Sequence, residues 1–384
     1  MKIAVPAEID GGETRVAATP DTVKKFVALG AEVVVERGAG LKSRIVDADY
    51  EAAGARIADD AAATLADADV VLKVRRPGAG ELPSYRRGAL VIATMDPYGH
   101  EDAVAAMADA GISAFAMEFM PRITRAQVMD VLSSQANLAG YQAVIDAAAT
   151  YDRALPMMMT AAGTVPAARV FVMGAGVAGL QAIATARRLG AVVTATDVRP
   201  AAKEQVESLG AKFIAVEDEE FRQAETAAGY AKPMSAEYQA KQAALVAEHI
   251  KKQDIVITTA LIPGRAAPRL VTAAMVASMR PGAVLVDLAV ERGGNVEGSV
   301  AGEVVDIDGR RIVGHLNVAG RIPATASQLY AKNLAAFLET MIDKTSKQVA
   351  VNWDDELVKA TLLTRDGAIV HGAFKPKLAE TVPA

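Results

Sequence analysis

The feature that most constrains what this chain can fold into is a glycine triplet inside VFVMGAGVAGLQAIATARRLGAVVTATDV, residues 170–198. The strand-like run VFVM leads straight into Gly174, Gly176 and Gly179, and an apolar-faced helical pattern follows at once. Asp197 closes the next strand-like run, 18 residues after the last glycine. In a βαβ unit each part has a physical task. The glycines permit a tight turn and close backbone approach, the helix N-terminus faces a pyrophosphate, and the acid accepts hydrogen bonds from ribose hydroxyls. Gly174, Ala175, Gly176, Val177, Gly179, Asp197, Val198 and Arg199 are therefore expected to line a dinucleotide site. A carboxylate at Asp197 bonds the free hydroxyls of NAD and repels the extra phosphate of NADP. Arg199 pulls the other way, although its simplest role is to salt-bridge nearby acids.

The same alternation of strand and helix runs through the whole chain. KIAVP (2–6), a helical pattern beginning TPDTVKKF and AEVVVE (31–36) form one βαβ step, with Pro20 suited to a first helical turn and Gly30 to a helix end. ADVVLKV, GALVIATM, a helix over 101–110 and ISAFAME continue the series. From Gln135 to Ala149, apolar Leu138, Tyr141, Val144, Ile145 and Ala148 recur on one helical face, in a segment long enough to bridge two domains. A second series runs from residue 168 through KFIAV, DIVITTA and AVLVDLAV, and a helical pattern starting IPATASQLYAKN returns the chain to the first domain. With 384 residues the length suits two domains. The reading is an α/β fold of two Rossmann-like domains with parallel sheets, the second inserted in the first: residues 1–134 plus 321–384, and 135–320.

Composition narrows the function. The chain carries 41 basic and 46 acidic residues, a net charge of −5, so no basic stripe argues for nucleic acid. It has no cysteine, which removes disulfides, thiolate catalysis and sulfur-ligated metals and suits a reducing compartment. No metal-ligand spacing of the HExxH kind is present, so no metal is inferred. The N-terminus MKIAVPAEI lacks the apolar core of a secretory signal. No apolar run approaches the roughly 18 residues that span a bilayer. A soluble chain, held to a membrane only by a partner, is expected.

Few residues offer acid–base chemistry. His249 sits in the charged stretch EHIKKQD and reads as a solvated surface residue; His371 lies in a late strand-like segment, His315 follows a predicted strand, and His100 reads as a loop residue. Arg15 in ETRVAATP and Lys73 in VVLKVRRP are placed either to hold an acidic substrate or to form salt bridges. The triple methionine in PMMMT (156–160) reads as core or interdomain packing. The polar stretch EDEEFRQAETAAGYAKPMS, after Val216, is either a mobile functional loop or an ordinary surface insertion.

RITRAQVMDVLSSQ, residues 122–135, crowds Arg122, Arg125, Gln127, Asp130, Ser133 and Ser134 just ahead of the bridging helix. Together with PMMMTAAGTVPAARVFVMGAGVAGLQ, ATDVR, GYAK, ITTALIPG and DLAVERGGN, it makes the chain resemble the soluble NAD(H)-binding component, domain I, of the proton-translocating NAD(P) transhydrogenases. The resemblance covers nearly the whole chain, from MKIAVP to TRDGAIVH. It implies that Arg122, Asp130 and Ser133 hold the carboxamide and nicotinamide ribose of NAD(H). Gln127 then reaches toward NADP(H) on a partner subunit, Gly229 and Tyr230 sit at the tip of a loop that closes on NAD, and Gln242 and Leu261 add nucleotide contacts. It further implies a Re/Si-specific hydride transfer between the two cofactors, a homodimer, an NADP(H)-binding beta subunit and a membrane-spanning subunit through which protons move. The chain itself is then cytoplasmic, peripheral on the inner membrane through its partners.

The alternative is an alanine dehydrogenase-like amino acid oxidoreductase, to whose substrate-binding positions Arg15 and Lys73 look similar. Two departures count against it. Met95, Asp96 and Pro97 follow VIAT where that family has a histidine, and Glu291 precedes RGGN where that family has an aspartate before QGG. A nucleotide-sensing module without catalysis has no use for the Arg, Gln and Asp segment.

Overall fold

The computed structural model describes residues 1–223, 234–262 and 264–375. The chain divides into two compact units, Met1–Gln135 with Gly320–Ala384, and Ala136–Ala319. Both are α/β with largely parallel sheets, as the alternating pattern requires.

The first unit opens with β1 (Lys2–Val5), α1 (Pro20–Ala28), β2 (Glu32–Glu36), α2 (Asp47–Ala52), β3 (Arg56–Ala58), α3 (Ala61–Leu65), β4 (Val70–Arg75), β5 (Leu90–Thr94), α4 (Glu101–Asp109) and β6 (Ser113–Ala116). Pro20 starts α1, and Gly30, at φ +86°, turns the chain out of it into β2. The sheet order is β3-β2-β1-β4-β5-β6, parallel throughout. Its strands are buried along most of their length, which is why they read as nearly unbroken Val, Ile and Leu runs.

Helix α5 (Val131–Thr150) carries the chain out of the first unit, whose first stretch ends at Gln135. Its buried face corrects the sequence reading. Gly140, Ala143, Val144 and Ala147 are covered, whereas Tyr141 of the expected stripe is 39% exposed and Leu138, Ile145 and Ala148 are only half-buried. A Cβ on Gly140 would stand 2.0 Å from the Ala178 carbonyl oxygen, so close backbone approach selects the small residues over the large ones.

The second unit continues with β7 (Met158–Thr160), β8 (Gly163–Val165), β9 (Arg169–Met173), α6 (Val177–Arg188), β10 (Val192–Thr196), α7 (Ala202–Ser208), β11 (Lys212–Phe213), α8 (Glu219–Arg222), α9 (Ala236–Ile250), β12 (Ile255–Thr258), α10 (Ala273–Ser278), β13 (Val284–Asp287), β14 (Val304–Ile307) and β15 (Arg310–Val313). The sheet order is β11-β10-β9-β12-β13-β15-β14, with only β14 antiparallel. The order reverses between β9 and β12, and the crevice beyond the strand C-termini at such a switch point is where open α/β sheets bind ligands. The PMMMT segment is not core. It forms the antiparallel β7–β8 hairpin, and Met157, Met158 and Met159 are 57, 41 and 80% exposed.

Helix α11 (Pro323–Glu339) lies in the first unit, with Tyr330, Leu334, Phe337 and Leu338 buried against β-sheet residues such as Ile3, Leu72 and Phe115. Helix α12 (Glu356–Thr361) and the small pair β16 (Thr364–Arg365) and β17 (Ala368–Ile369) complete the described chain.

Candidate dinucleotide site and the Arg122–Ser133 segment

The three glycines of the β9–α6 turn have different reasons to be glycine. Gly174 takes φ +104°, and a Cβ there would stand 2.5 Å from Thr259 Oγ1, the hydroxyl that donates to the Gly174 carbonyl at 3.1 Å. A Cβ on Gly179 would sit 1.8 Å from that same carbonyl oxygen. Both glycines are therefore demanded by the fold. Gly176 is not: its φ is −76°, and a Cβ would meet nothing within 4 Å. Its lack of a side chain leaves open space directly at the N-cap of α6, where unpaired first-turn N–H groups and the helix dipole favour an anion. Tight turn, close ligand approach and helix–strand packing are the three tasks such glycines perform for a bound pyrophosphate.

Asp197 follows β10 beside this turn. Its Oδ2 accepts the Ala175 N–H at 2.7 Å and Arg199 Nη2 at 3.1 Å, and its Oδ1 accepts the Arg199 N–H and Nε, each at 2.9 Å. The simplest expected role of Arg199, a salt bridge, is thus met by Asp197 itself. Val177 and Val198 stand exposed near the turn, 36 and 57%. Gln242 is tied at both ends of its amide, accepting the Val216 N–H at 2.9 Å and donating to Thr196 Oγ1 at 3.1 Å. Leu261, 53% exposed, lies in the loop after β12. Gly229 and Tyr230 lie outside the described residues.

Two residues that the sequence reading does not single out shape the neighbouring wall. Buried Asn295 accepts the Ala260 N–H at 3.0 Å and donates to the Ala260 and Pro268 carbonyls at 2.9 and 2.8 Å. Asp287, at the end of β13, accepts the N–H groups of Ala289, Asn295 and Val296 within 3.1 Å. A buried Asp ending a strand, with Asn eight residues on in ERGGN, is the signal that could have found them.

In the first unit the polar segment is a short 3₁₀ turn, Thr124–Met129, leading into α5. Ala126 and Met129 are buried, while the Arg122 and Gln127 side chains are exposed and have no hydrogen-bond partner among the described residues. Asp130 caps α5, accepting the Ser133 N–H at 2.9 Å and the Ser133 hydroxyl at 2.5 Å. Arg125 points elsewhere, to Asp355 at 2.7 Å and Glu356 at 3.1 Å of α12. Asn333 of α11 carries no sequence signal of its own, yet it donates to the Val128 carbonyl at 2.8 Å and accepts from the Ser134 hydroxyl at 2.7 Å.

Arg15 and Lys73 are both internally neutralised. Arg15 bonds Glu13 through Nε at 2.7 Å and Nη2 at 2.8 Å, and Gln135 through Nη1 at 2.8 Å. Burial alone would push the Glu13 carboxyl up, but the bonded Arg15 and nearby Arg75 reverse this and hold it at about 2. Lys73 is fully buried within β4, 2.7 Å from Glu81 and 3.9 Å from Glu8. Burial pushes the Glu8 carboxyl up to about 7 against the pull of Lys73.

His249 corrects the sequence reading: it is half-buried, 2.9 Å from Thr194 Oγ1 and edge-on to Phe171, and burial lowers its pKa. Charged neighbours in sequence belong to the other face of α9. His100 precedes α4 with Nδ1 2.9 Å from the Asp96 carbonyl, and His315 bonds buried Asp146 at 3.1 Å. His371 stacks on Phe119. No group of three or more His, Cys, Asp or Glu able to hold a metal occurs among the described residues.

Residues 4–139 match the N-terminal domain of the alanine dehydrogenase/PNT family, and residues 143–372 match its C-terminal domain. The chain is 56% identical to an NAD(P) transhydrogenase alpha subunit of Rhodospirillum rubrum, over 97% of this chain and 99% of that protein. The crystal structure of transhydrogenase from Sinorhizobium meliloti superposes with a TM-score of 0.89 at 68% identity, covering 96% of this chain and all of that one. Alanine dehydrogenase of Halomonas elongata is more distant, 30% identical over 97% of this chain and 95% of its own length. On matches that span both units and nearly the full length, the chain belongs to the alanine dehydrogenase/PNT family.

Proposed function

We propose that this chain is the NAD(H)-binding subunit of a proton-translocating, Re/Si-specific NAD(P) transhydrogenase. The observation that carries the reading is the open space at Gly176, at the N-cap of α6 beside Asp197. The near-full-length likeness to transhydrogenase subunits directs that site toward this reaction. A bound nicotinamide gives or takes the hydride. Gly174, Ala175, Gly176, Val177 and Gly179 hold the pyrophosphate, and Asp197, Val198 and Arg199 hold the adenosine ribose. Gln242, Leu261, Gly229 and Tyr230 complete the nucleotide contacts. Arg122, Asp130 and Ser133 serve the carboxamide and nicotinamide ribose, and Gln127 reaches toward NADP(H) on a partner subunit.

Passing a hydride between nicotinamides releases no proton at the reacting carbons, so these residues act by proximity and exclusion of water, not as a base. Charge pairing of Arg15 and Lys73 with Glu13, Glu81 and Glu8 supports this over an amino acid oxidoreductase, which needs those cations for its substrate. The Rhodospirillum relative is named as an alpha subunit, which supports further subunits. We assign these as an NADP(H)-binding beta subunit and a membrane-spanning subunit that holds the chain at the cytoplasmic face of the inner membrane. Among the described residues no helix is long and apolar enough to cross a membrane. The exposed methionines of the β7–β8 hairpin support a homodimer in which a second copy covers them.

The test is a single-turnover hydride transfer assay with the full chain, NADH and a purified NADP(H)-binding transhydrogenase component. Transfer that depends on both proteins is expected. NADH binding without any transfer overturns the reading.

A further inference from the structure

The Thr124–Met129 turn presents Gln127 and Val128 outward, Val128 being 63% exposed, while Ala126 and Met129 on either side are buried. An outward crown of this kind needs something to fix its backbone. Arg125 ties the turn to α12, but its side chain is 44% exposed, and an ion pair in water holds a segment weakly. The buried tie is different. Asn333 is 8% exposed and comes from α11, a helix packed into the core of the first unit. Its amide nitrogen donates to the carbonyl of Val128, the residue next to Gln127. Its amide oxygen accepts from Ser134, next to Ser133. One rigid side chain therefore spans the outward turn and the start of α5, with Gln127 and Ser133 each adjacent to an anchored residue. Loss of the Asn333 donor leaves the inward-turned Val128 carbonyl without its partner, which releases the crown.

We propose that Asn333 is a positioning residue for hydride transfer, acting through the direction it gives Gln127. This rests on the transhydrogenase reading, and it adds a residue some 200 positions away from the segment it aligns. Asn333 touches neither cofactor; it fixes the main chain from which Gln127 extends.

The experiment compares wild type, Asn333→Asp, Asn333→Ala, Gln127→Asn and the Asn333→Ala/Gln127→Asn double variant in the full chain with the NADP(H)-binding component. Single-turnover transfer at saturating NADH, NADH affinity and melting temperature are read on each. Asn333→Asp keeps the shape and the Ser134 bond while losing the donor to Val128, and it decides the question where Asn333→Ala does not fold. Both Asn333 variants should slow transfer by about tenfold, since small misplacements of reacting groups are costly, with NADH affinity nearly unchanged. In the double variant Asn333→Ala should slow transfer no further, because residues that act as one unit are non-additive. A lowered melting point with an unchanged rate overturns the proposal, and so do losses that multiply in the double variant. A wild-type chain that binds NADH yet passes no hydride overturns the transhydrogenase reading and this proposal together.

Discussion

Arg199 closes over Asp197 from its own position two residues on, reaching both carboxylate oxygens with its guanidinium and one of them with its backbone N–H. With the Ala175 N–H also bound, four donors meet a carboxylate that has about four acceptor sites. Ribose hydroxyls must therefore displace or share with the guanidinium, which is partly exposed and able to swing. Asp197 then bonds the ribose, and Arg199 becomes the only cation of the pair that a ribose phosphate would meet.

The wild-type chain should bind NADH in clear preference to NADPH. Asp197→Ala should weaken NADH by about tenfold or more, the worth of hydrogen bonds to a charged group, and strengthen NADPH by releasing Arg199 from its ion pair. Arg199→Ala should keep the preference for NADH. Fluorescence titration of both cofactors checks this, and equal affinities in the wild type would mean that Arg199 controls the ribose site.

Gly176→Ala and Gly179→Ala should separate binding from folding. The first meets nothing within 4 Å at ordinary φ, so its melting temperature should stay near wild type while NADH affinity falls. The second meets a backbone oxygen at 1.8 Å and should destabilise the chain by about 3 kcal/mol. Thermal melts and NADH titrations on both variants decide it; a Gly176→Ala chain with wild-type affinity would remove the pyrophosphate assignment.

Stability should fall between about pH 4.5 and pH 7. Glu8 is raised from 4.5 to about 7, so over that window the folded state holds a proton that the unfolded state has lost. Its stabilising effect, about 3 kcal/mol at most, is complete below the unfolded value and gone above about 7. Glu13, held at about 2, acts oppositely, stabilising above 4.5 and losing that effect as the pH falls toward 2. Glu8→Gln should flatten the first slope in urea melts across this range and leave the acid-side loss intact. An unaltered slope would exclude Glu8 as its source.

Adding NAD and alanine should produce no NADH, because Arg15 and Lys73 are already bonded to carboxylates inside the first unit. Lys73→Met should destabilise by about 3–5 kcal/mol, the cost of leaving a buried partner charge unpaired. A steady rise in NADH absorbance with alanine would make Lys73 catalytic.

Glutamates at Met158 and Met159 should convert a dimer to monomers, weakening association by about a hundredfold or more. Both side chains stand in solvent on a hairpin whose own strands are exposed, so folding of the chain should be untouched. Sedimentation velocity reads the outcome, and a wild-type chain that is monomeric at every concentration would exclude the hairpin as a dimer contact.

Sequence alone determined the two α/β layers, the strand order's raw material and the glycine turn, because these follow from local rules. Strand and helix periods are set by the backbone, and GAGVAG between VFVM and an apolar helix has few ways to fold. The direction of single side chains was not legible in the same way. His249 reads as solvated among charged neighbours, yet helical rotation turns it onto Phe171. PMMMT reads as core because its composition is apolar, but exposure depends on what packs against a hairpin. Only tertiary structure paired Lys73 with Glu81, Arg15 with Gln135 across 120 positions, and Asn333 with Val128 across 205. Such partners meet because sheets and helices stack, and no spacing along the chain records which distant residue the stacking brings into reach.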